Sequence, residues 1–307
     1  MSKSQSQQTS RAPVFIGIGL VLLLFVFFFF IVALFVSVTS SFSSDGASGR
    51  GNVALIRIDG PIMTQSQQNL FGSSGIVSSE RVVKRLDSLA RDSSIEAIMI
   101  EINSPGGSGV ATDEIAQAIR AIDKPTVAYI REVGASGSYW VASSTDYVIA
   151  NRMSTVGSIG VIASYLDFSG FIENYNVTYQ RFVSGESKDF GSPFRSPTEQ
   201  EQEQFQILLD QMHDIFVTEV AQNRNLSVEH VRELADGSIF SGLQASQNGL
   251  VDQLGGRAQA QEYLENRLNK RVSVVEYSDA PTFFDILFGY MRQPMTLTFF
   301  QSPVIFT

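Results

Sequence analysis

The chain contains no cysteine and only two histidines among its 307 residues. The lack of cysteine excludes disulfide bonds, thiol nucleophiles and cysteine-ligated metals. Because His213 and His230 are the only imidazoles, a multi-histidine metal site is not expected. Positive charge is also scarce, since 22 basic residues face 31 acidic ones and the net charge is −9. A nucleic-acid-binding surface normally needs a basic patch, so this balance argues against a nucleic-acid partner.

A long uncharged run occupies residues 14–38 (VFIGIGLVLLLFVFFFFIVALFVSV). About 20 apolar residues span a bilayer, whereas the apolar region of a cleavable signal peptide is only about 7–15 residues long. We therefore interpret the run as an uncleaved transmembrane signal anchor rather than a buried core helix. Lys3 and Arg11 precede it, so the positive-inside rule predicts that residues 1–13 form a cytoplasmic tail. The rest of the chain would then lie on the periplasmic or extracytoplasmic side of the inner (plasma) membrane, behind a single span.

Residues 39–52 are rich in serine and glycine, which is typical of a flexible linker. From residue 53 to 275, apolar runs of strand length alternate with segments whose apolar residues recur at helical spacing. This alternation implies right-handed crossovers and a mainly parallel sheet, so we expect one α/β domain over this range. The expected strands are 53–60 with its turn, 95–102, 125–130 and 146–150; the expected helices are 79–91, a segment around 115–122, 136–144, and a long helix that begins at Thr198.

The last segment, residues 276–307, is rich in aromatic residues. Asp285 and Arg292 interrupt its apolar pattern, so we do not interpret it as a second membrane span. We expect this tail to pack on the domain or on a neighbouring subunit. Contact with the membrane surface is the alternative interpretation.

A Gly-Ala-Ser-Gly turn at residues 134–137 lies where an apolar run ends and helical spacing begins. A serine at a strand-to-helix turn can present its hydroxyl at an exposed corner, and the N–H of Gly137 would then point from a helix N-terminus toward an oxyanion. The alternative is that the Ser136 hydroxyl only caps the helix. A nucleophilic serine also needs a base, so this segment alone leaves both interpretations open.

Lysine is the strongest candidate base in this chain. Both histidines lie on predicted helices outside any catalytic motif, and the carboxylates form no evident motif either. Of the five lysines, Lys188 alone follows a predicted strand inside a Gly/Ser-rich loop. A lysine acts as a base only where a water-poor cleft lowers its pKa by several units from about 10.4. Asp189 and Glu186 would oppose this if they faced the amine, and a solvated loop lysine is the alternative.

The segment NSPGGSG (103–109) is a second glycine turn between a predicted strand and a predicted helix. The consecutive N–H groups of Gly106 and Gly107 could bind an anion or an oxyanion. The segment lacks the Lys-Ser/Thr ending of a phosphate-binding P-loop. A simple turn is the other interpretation.

Taken together, the segments NSPGGS (103–108), GASGSYWVAS (134–143) and VSGESKDFGSPF (183–194) resemble the signal peptide peptidase A family of Ser–Lys membrane proteases. TVGSIGV (155–161) and GLVDQLGG (249–256) match further segments of that family, and the resemblance covers about residues 53–270 and the anchor. It is closest to the short, single-domain bacterial form. The chain departs from the family at Ser138, where glycine is common, and at Trp140, where tyrosine is usual.

The resemblance implies a Clp protease/crotonase-like fold in which Ser136 is the nucleophile and Lys188 the general base. It implies an oxyanion hole made by Gly107, Gly106 and Gly137, and it suggests that Ser158 orients the lysine. No metal, nucleotide or organic cofactor is implied. The family also implies a ring-like homo-oligomer, in which the serine and the lysine of one site can come from neighbouring subunits.

We therefore predict a membrane-bound serine endopeptidase that degrades remnant signal peptides and other short or unfolded polypeptides on the exported side of the membrane. One alternative is a crotonase-like acyl-CoA enzyme, whose glycine turns would hold a thioester oxyanion. The other is a non-catalytic membrane scaffold that assembles partners through its aromatic tail.

Overall fold

The computed structural model describes residues 25–30, 51–65 and 75–277. Nearly all of them belong to one compact unit, Ser48–Tyr277, which carries the fold; the other unit, Met1–Ala47 with Ser278–Thr307, is described only at residues 25–30, which are helical. The rest of the predicted anchor, most of the linker and nearly all of the aromatic tail lie outside the described residues. Within those described ranges, no helix has the length and apolarity needed to cross a bilayer.

The main sheet is built from parallel strands in the order β10-β1-β4-β5-β6-β9. Strand β7 continues it beside the end of β5 in parallel, and β8 pairs with β7 in antiparallel orientation. Strands β2 and β3 form a separate parallel pair. The strands are β1 Val53–Asp59, β2 Ile62–Met63, β3 Val77–Ser78, β4 Ala97–Ser104, β5 Thr126–Ala135, β6 Tyr147–Ala150, β7 Thr155–Gly157, β8 Ile239–Ser241, β9 Gln253–Leu254 and β10 Val274–Glu276.

Helices cover both faces of this sheet. They are α1 Ser79–Arg91, α2 Gly109–Arg120, α3 Gly137–Ser143, α4 Ser169–Asn174, α5 Glu199–Arg224, α6 Val228–Leu234, α7 Gly242–Gln247 and α8 Arg257–Leu268. The larger core lies between the sheet and helices α1, α2, α3 and α5. A smaller core lies between the opposite face and α8.

Strand β4 shows why the central strands appear in the sequence as nearly continuous apolar runs. Successive side chains of a strand point to opposite faces, and a parallel sheet covered on both faces needs apolar residues at both. Ile98 and Ile100 belong to the larger core, whereas Ala97 and Met99 belong to the smaller one. The predicted α/β fold with a mostly parallel sheet is confirmed.

The predicted start of the long helix is also confirmed. Thr198 accepts a hydrogen bond from the N–H of Glu201, and the Glu201 carboxylate accepts one from the N–H of Thr198, which forms a capping box. The C-terminal half of α5 buries Phe216, Val217 and Val220. Before Phe216 the helix exposes large apolar side chains that the sequence pattern assigned to the same face, among them Leu208, Met212 and Ile215.

Residues 161–198, which we call the arm, differ most from the sequence prediction. The strand predicted just before Lys188 is absent, since α4 is the arm's only regular element. No residue of the arm is buried, and Phe182 and Ile162 are 91% and 86% exposed. A strand needs a partner ladder for its backbone groups, and a single copy of the described chain provides none here.

Candidate active site

Ser136 lies at the junction of β5 and α3, in the turn that the sequence predicts. Its φ and ψ are 55° and −132°, a conformation that residues with side chains rarely adopt. Such strain persists only where the surrounding structure enforces it, and it is concentrated at functional sites. The Ser136 side chain makes no capping hydrogen bond with α3, so the hydroxyl is not used as a helix cap. The residue is half-buried, which leaves its side chain accessible from one side.

Hydrogen bonds from three elements hold this turn. The N–H of Ser136 donates to the carbonyl oxygen of Gly157 at 2.7 Å. The hydroxyl of Ser138, which is fully buried, donates to the carbonyl oxygens of Ser104 at 2.6 Å and Ala135 at 2.8 Å. The turn is thereby fixed to the ends of β4, β5 and β7, which explains how the strained serine conformation is maintained.

The glycine turn after β4 packs directly against Ser136. A Cβ atom added to Gly106 would lie 2.7 Å from the nitrogen of Gly137 and 2.9 Å from the Cβ of Ser136. The φ of Gly106 is 94°, in the region that favours glycine. The structure therefore brings together both turns that the sequence singled out, and glycine is required at the contact between them.

A bridge to β2 sets the direction of the next amide in this turn. Ile62 donates to the carbonyl of Gly106 at 2.9 Å and accepts from the N–H of Ser108 at 2.8 Å. Ile62 is thus bonded to the two residues that flank Gly107. In such a parallel bridge the N–H of the middle residue points away from the partner strand, so the N–H of Gly107 points away from Ile62. The N–H of Gly137 belongs to the first residue of α3 and has no acceptor within that helix. The N–H groups of Gly107 and Gly137, both close to Ser136, are therefore free of backbone acceptors within the described part of the chain.

Ser158 follows Gly157, whose carbonyl oxygen accepts the hydrogen bond from the N–H of Ser136. Gly157 and Ser158 have φ values of 95° and 50°, and the N–H of Ser158 donates to Ser238 at 2.7 Å. Ser158 therefore lies beside the β5–α3 turn in a second strained backbone conformation. This places the predicted lysine-orienting residue in the same region as Ser136.

Lys188 stands apart from the other lysines that the structure describes. Lys84 and Lys270 form ion pairs with glutamates, and Lys124 donates to two main-chain carbonyls at the end of α1. The amine of Lys188 makes no hydrogen bond or ion pair with any described residue of its own chain, Ser136 included. The side chain is exposed on the arm. A single copy of the chain thus leaves this amine free but does not join it to the serine.

The carboxylate beside Lys188 is engaged by two arginines. Asp189 accepts two hydrogen bonds of 2.9 Å from Arg195 and pairs with Arg181 at 2.9 Å. Arg195 also binds Glu201, the capping residue of α5, so the Lys188 loop is tied to the start of that helix. The Arg195 guanidinium, followed by Arg181, holds the pKa of Asp189 well below its ordinary value. The Asp189 carboxylate is thus already neutralised by partners other than Lys188, which removes one objection raised by the sequence.

The two histidines take no part in this arrangement. His230 contacts the carbonyl of Asn248 at 3.1 Å through its Nε2 atom. His213 lies on α5, and its buried Nε2 atom has no partner among the described residues. Neither imidazole is bonded to Ser136.

Sequence reasoning missed the roles of Ser138 and Arg195. Ser138 was noted only as a departure from a glycine, whereas its hydroxyl joins β4 to β5 behind Ser136. Arg195 carried no signal, because its two carboxylate partners lie six residues away on either side and follow no helical or strand period.

Two sequence profiles of known families match the chain. The profile of peptidase family S49 matches residues 118–271, and that of Clp protease matches residues 62–156. Together the matched ranges include both glycine turns, Ser136, Ser158 and Lys188.

Individual relatives agree with these matches. A protein of Enterococcus faecium named signal peptide peptidase SppA is 34% identical over 252 residues, which is 80% of this chain and 72% of the relative. Protease 4 of Haemophilus influenzae is 30% identical over 225 residues, 71% of this chain but 35% of that protein. The chloroplastic serine protease SPPA of Arabidopsis thaliana is 28% identical over 249 residues, 78% of this chain and 37% of that protein. The chain therefore spans little more than a third of the length of these last two relatives.

The parallel sheet, the strained serine between two glycine turns and these relatives define a serine protease with a Clp protease-like α/β fold. The chain belongs to peptidase family S49. The predicted resemblance is thus confirmed, and the acyl-CoA enzyme and the non-catalytic scaffold are set aside.

Proposed function

We propose that Ser136 and Lys188 form a catalytic dyad that hydrolyses peptide bonds by acyl transfer. The observation that carries this proposal is the strained Ser136 beside the glycine turn of Gly106 and Gly107, with Lys188 as the one described lysine whose amine has no partner. A neutral Lys188 amine accepts the proton of the Ser136 hydroxyl as the oxygen attacks the peptide carbonyl. The N–H groups of Gly107 and Gly137, with Gly106 in support, stabilise the oxyanion.

The second half of the reaction reverses these roles. The Lys188 ammonium donates its proton to the leaving amine, and the acyl group remains on the Ser136 oxygen. Water then gives a proton to Lys188 and attacks the ester; the bond to the Ser136 oxygen breaks, the acid is released, and Lys188 returns the proton to Ser136. The Ser158 hydroxyl orients the Lys188 amine, a role that its place beside the Ser136 turn supports.

We infer that the dyad is completed between two copies of the chain. A lysine is neutral near neutral pH only in water-poor surroundings, and the exposed arm gives Lys188 no such surroundings in a single copy. The arm and the first half of α5 also expose many large apolar side chains, which a lone soluble domain rarely does. A ring-like homo-oligomer would cover these side chains and bring the arm of one copy to the Ser136 of the next.

The proposed substrates are remnant signal peptides and other short or unfolded polypeptides. The name of the Enterococcus faecium relative supports this class. The uncharged run at residues 14–38 supports a single-pass anchor in the inner (plasma) membrane, with the protease domain on the exported side. Extended polypeptides suit a site flanked by short strands, because their backbone can pair with an exposed strand edge.

The direct test compares full-length variants on a fluorogenic peptide and with a serine-reactive fluorophosphonate probe. Ser136→Ala and Lys188→Ala should both lose peptide hydrolysis while they remain folded and assembled. Ser93→Ala and Lys84→Ala, which change exposed residues of the same types, should keep wild-type activity. Covalent labelling of a residue other than Ser136, or full activity of Lys188→Ala, would refute the dyad.

A further inference from the structure

A cavity lies on the sheet face opposite the one that carries α3. Its volume is about 890 Å³, within the range of roughly 300–1,000 Å³ that is typical of small-molecule sites. Tyr129 and Arg257 line it, and Tyr129 belongs to the smaller core, under α8. The cavity is therefore separate from the Ser136 site, and the reaction proposed above does not use it.

The cavity lies where the strand that pairs with β5 changes from β6 to β7. Strand β5 pairs with β6 as far as Ile130, opposite Ala150, and pairs with β7 only from Val133, opposite Thr155. Arg131 lies in the gap between these two ladders and lines the cavity.

A buried acid–phenol pair forms one wall of the cavity. Glu101 and Tyr129 are 6% and 3% exposed, and the Tyr129 hydroxyl donates to the Glu101 carboxylate. Burial, followed by Glu101, raises the pKa of Tyr129, so the phenol keeps its proton. Arg131 donates to Glu101 at 3.0 Å, and Arg57 lies 3.6 Å from the same carboxylate. Glu101 thus fixes Arg131 at the cavity wall, whereas Arg57 makes its shorter ion pair, at 3.1 Å, with Glu276.

Arg257 supplies the unpaired charge. It is exposed, lines the cavity and makes no hydrogen bond or ion pair with the part of the chain that the structure describes. It is also the first residue of α8, whose N-cap position is Gly256, so no side chain caps the first N–H groups of that helix. A Cβ added to Gly256 would meet nothing within 4 Å, which shows that there is open space beside this helix end.

The charges at the cavity define what it can bind. Three arginines (Arg57, Arg131 and Arg257) and two glutamates (Glu101 and Glu132) line it. Because Arg57 pairs with Glu276 and Arg131 with Glu101, Arg257 is the lining arginine without a carboxylate partner among the described residues. A single carboxylate matches the one positive charge of Arg257 and the planar fork of its guanidinium. A phosphate would bring a second negative charge close to both glutamates.

We propose that this cavity binds an organic carboxylate, of which the C-terminal end of a short peptide is the form that a protease encounters. Arg257 would make the main charge-assisted contact, and Arg131 would stand beside it. The volume leaves room for the residues that precede the carboxylate. The proposal rests on this cavity alone and does not depend on the Ser–Lys mechanism.

Isothermal titration of the full-length Ser136→Ala protein in detergent tests the proposal without turnover. The probes are N-acetyl-trialanine with a free C-terminal carboxylate, the same peptide as its C-terminal amide, and inorganic phosphate. We expect the carboxylate peptide to bind more tightly than both other probes. Adding Arg257→Gln should weaken its binding by at least about tenfold, the loss expected for one charge-assisted hydrogen bond. Arg271→Gln, which removes the same charge from an exposed residue outside the cavity, should leave the affinity unchanged.

Three results would overturn the proposal. Equal affinity for the carboxylate and the amide would show that the charge is not recognised. An unchanged affinity in the Arg257→Gln protein would place any carboxylate binding elsewhere. Tighter binding of phosphate, with the same dependence on Arg257, would assign the cavity to a different anion.

Discussion

The N–H of Ser136 donates to the carbonyl oxygen of Gly157 at 2.7 Å, so the residue at the end of β5 is fixed to the last residue of β7. This bond places the strained Ser136 next to Ser158, which is also in a positive-φ conformation. The Ser136 turn is therefore held by hydrogen bonding to the sheet. By contrast, Lys188 lies on an arm without a buried residue. The two proposed catalytic groups thus belong to parts of the chain with very different burial.

The close contact between the two glycine turns predicts that a side chain at position 106 would clash with the Ser136 turn. In Gly106→Ala the new methyl group would lie 2.7 Å from the Gly137 nitrogen and 2.9 Å from the Ser136 Cβ, at a φ of 94°. We expect kcat for peptide hydrolysis to fall by at least about 10²-fold, because an oxyanion donor is displaced. In the control Gly109→Ala, a Cβ meets nothing within 4 Å, so activity should stay at the wild-type level. Comparable kcat values for the two variants would argue against Gly106 as part of the site.

The hydrogen bonds of the Ser138 hydroxyl predict that removing it destabilises the fold next to Ser136. Ser138→Ala removes a buried donor that serves the carbonyls of Ser104 and Ala135, and we expect the free energy of unfolding to fall by about 1–3 kcal/mol. Fluorescence of Trp140, the only tryptophan of the chain and a member of the same helix, reports the transition. The exposed Ser93→Ala control should change stability by less than about 0.5 kcal/mol. Equal stability of the two variants would mean that the Ser138 hydroxyl is not needed to hold the turn.

The Arg195 contacts predict that the Lys188 loop is ordered only when the residue at position 195 has a planar guanidinium that can bind two carboxylates. Arg195→Lys keeps the positive charge but cannot bind Asp189 and Glu201 through two parallel pairs. We expect faster hydrogen exchange in residues 184–192 and reduced peptidase activity, while the exchange of β4 and β5 stays the same. The exposed Arg91→Lys variant is the matched control. Unchanged exchange in the loop would show that the arginine does not order it.

The same carboxylates predict how the loop responds to acid. Arg195 is the main cause of the lowered pKa of both Asp189 and Glu201, which for Glu201 is about 2. A carboxyl group whose folded pKa is depressed stabilises the fold above its unfolded pKa, and that contribution is lost as pH falls through the folded value. Loop exchange, corrected for the intrinsic rate, should be constant from pH 7 to about 5 and should rise below about pH 4. A rise between pH 7 and 5 would contradict the sign of this effect.

Much of the fold was predictable because its signals are local. The β4 run, the α1 spacing and the Thr198–Glu201 capping box each depend on neighbouring residues, and the structure confirms them. The position of Ser136 was also predictable, since a glycine-flanked serine between strand and helix signals a sharp turn. What local signals could not provide was the partner change of β5, which runs five residues past its predicted end to pair with β7.

The arm was the least predictable part for a physical reason. A strand was predicted before Lys188, but a strand forms only where another segment completes its hydrogen bonds. If that partner belongs to another copy, no signal within one chain can reveal it. The Arg195 contacts were hidden in a similar way, since they join residues through side-chain geometry rather than through a repeating spacing.

The central claim is that the core of one copy and the arm of another complete a single site. Mixing experiments test it directly: full-length Ser136→Ala and Lys188→Ala are each assayed alone, then coexpressed and assayed as mixed assemblies. Each variant alone should be inactive. Mixed assemblies should regain up to about a quarter of wild-type activity. When the two variants are present in equal amounts and pair at random, about a quarter of the contacts join the intact serine of a Lys188→Ala copy to the intact lysine of a Ser136→Ala copy. Mixed assemblies that form but stay inactive would contradict a site shared between copies.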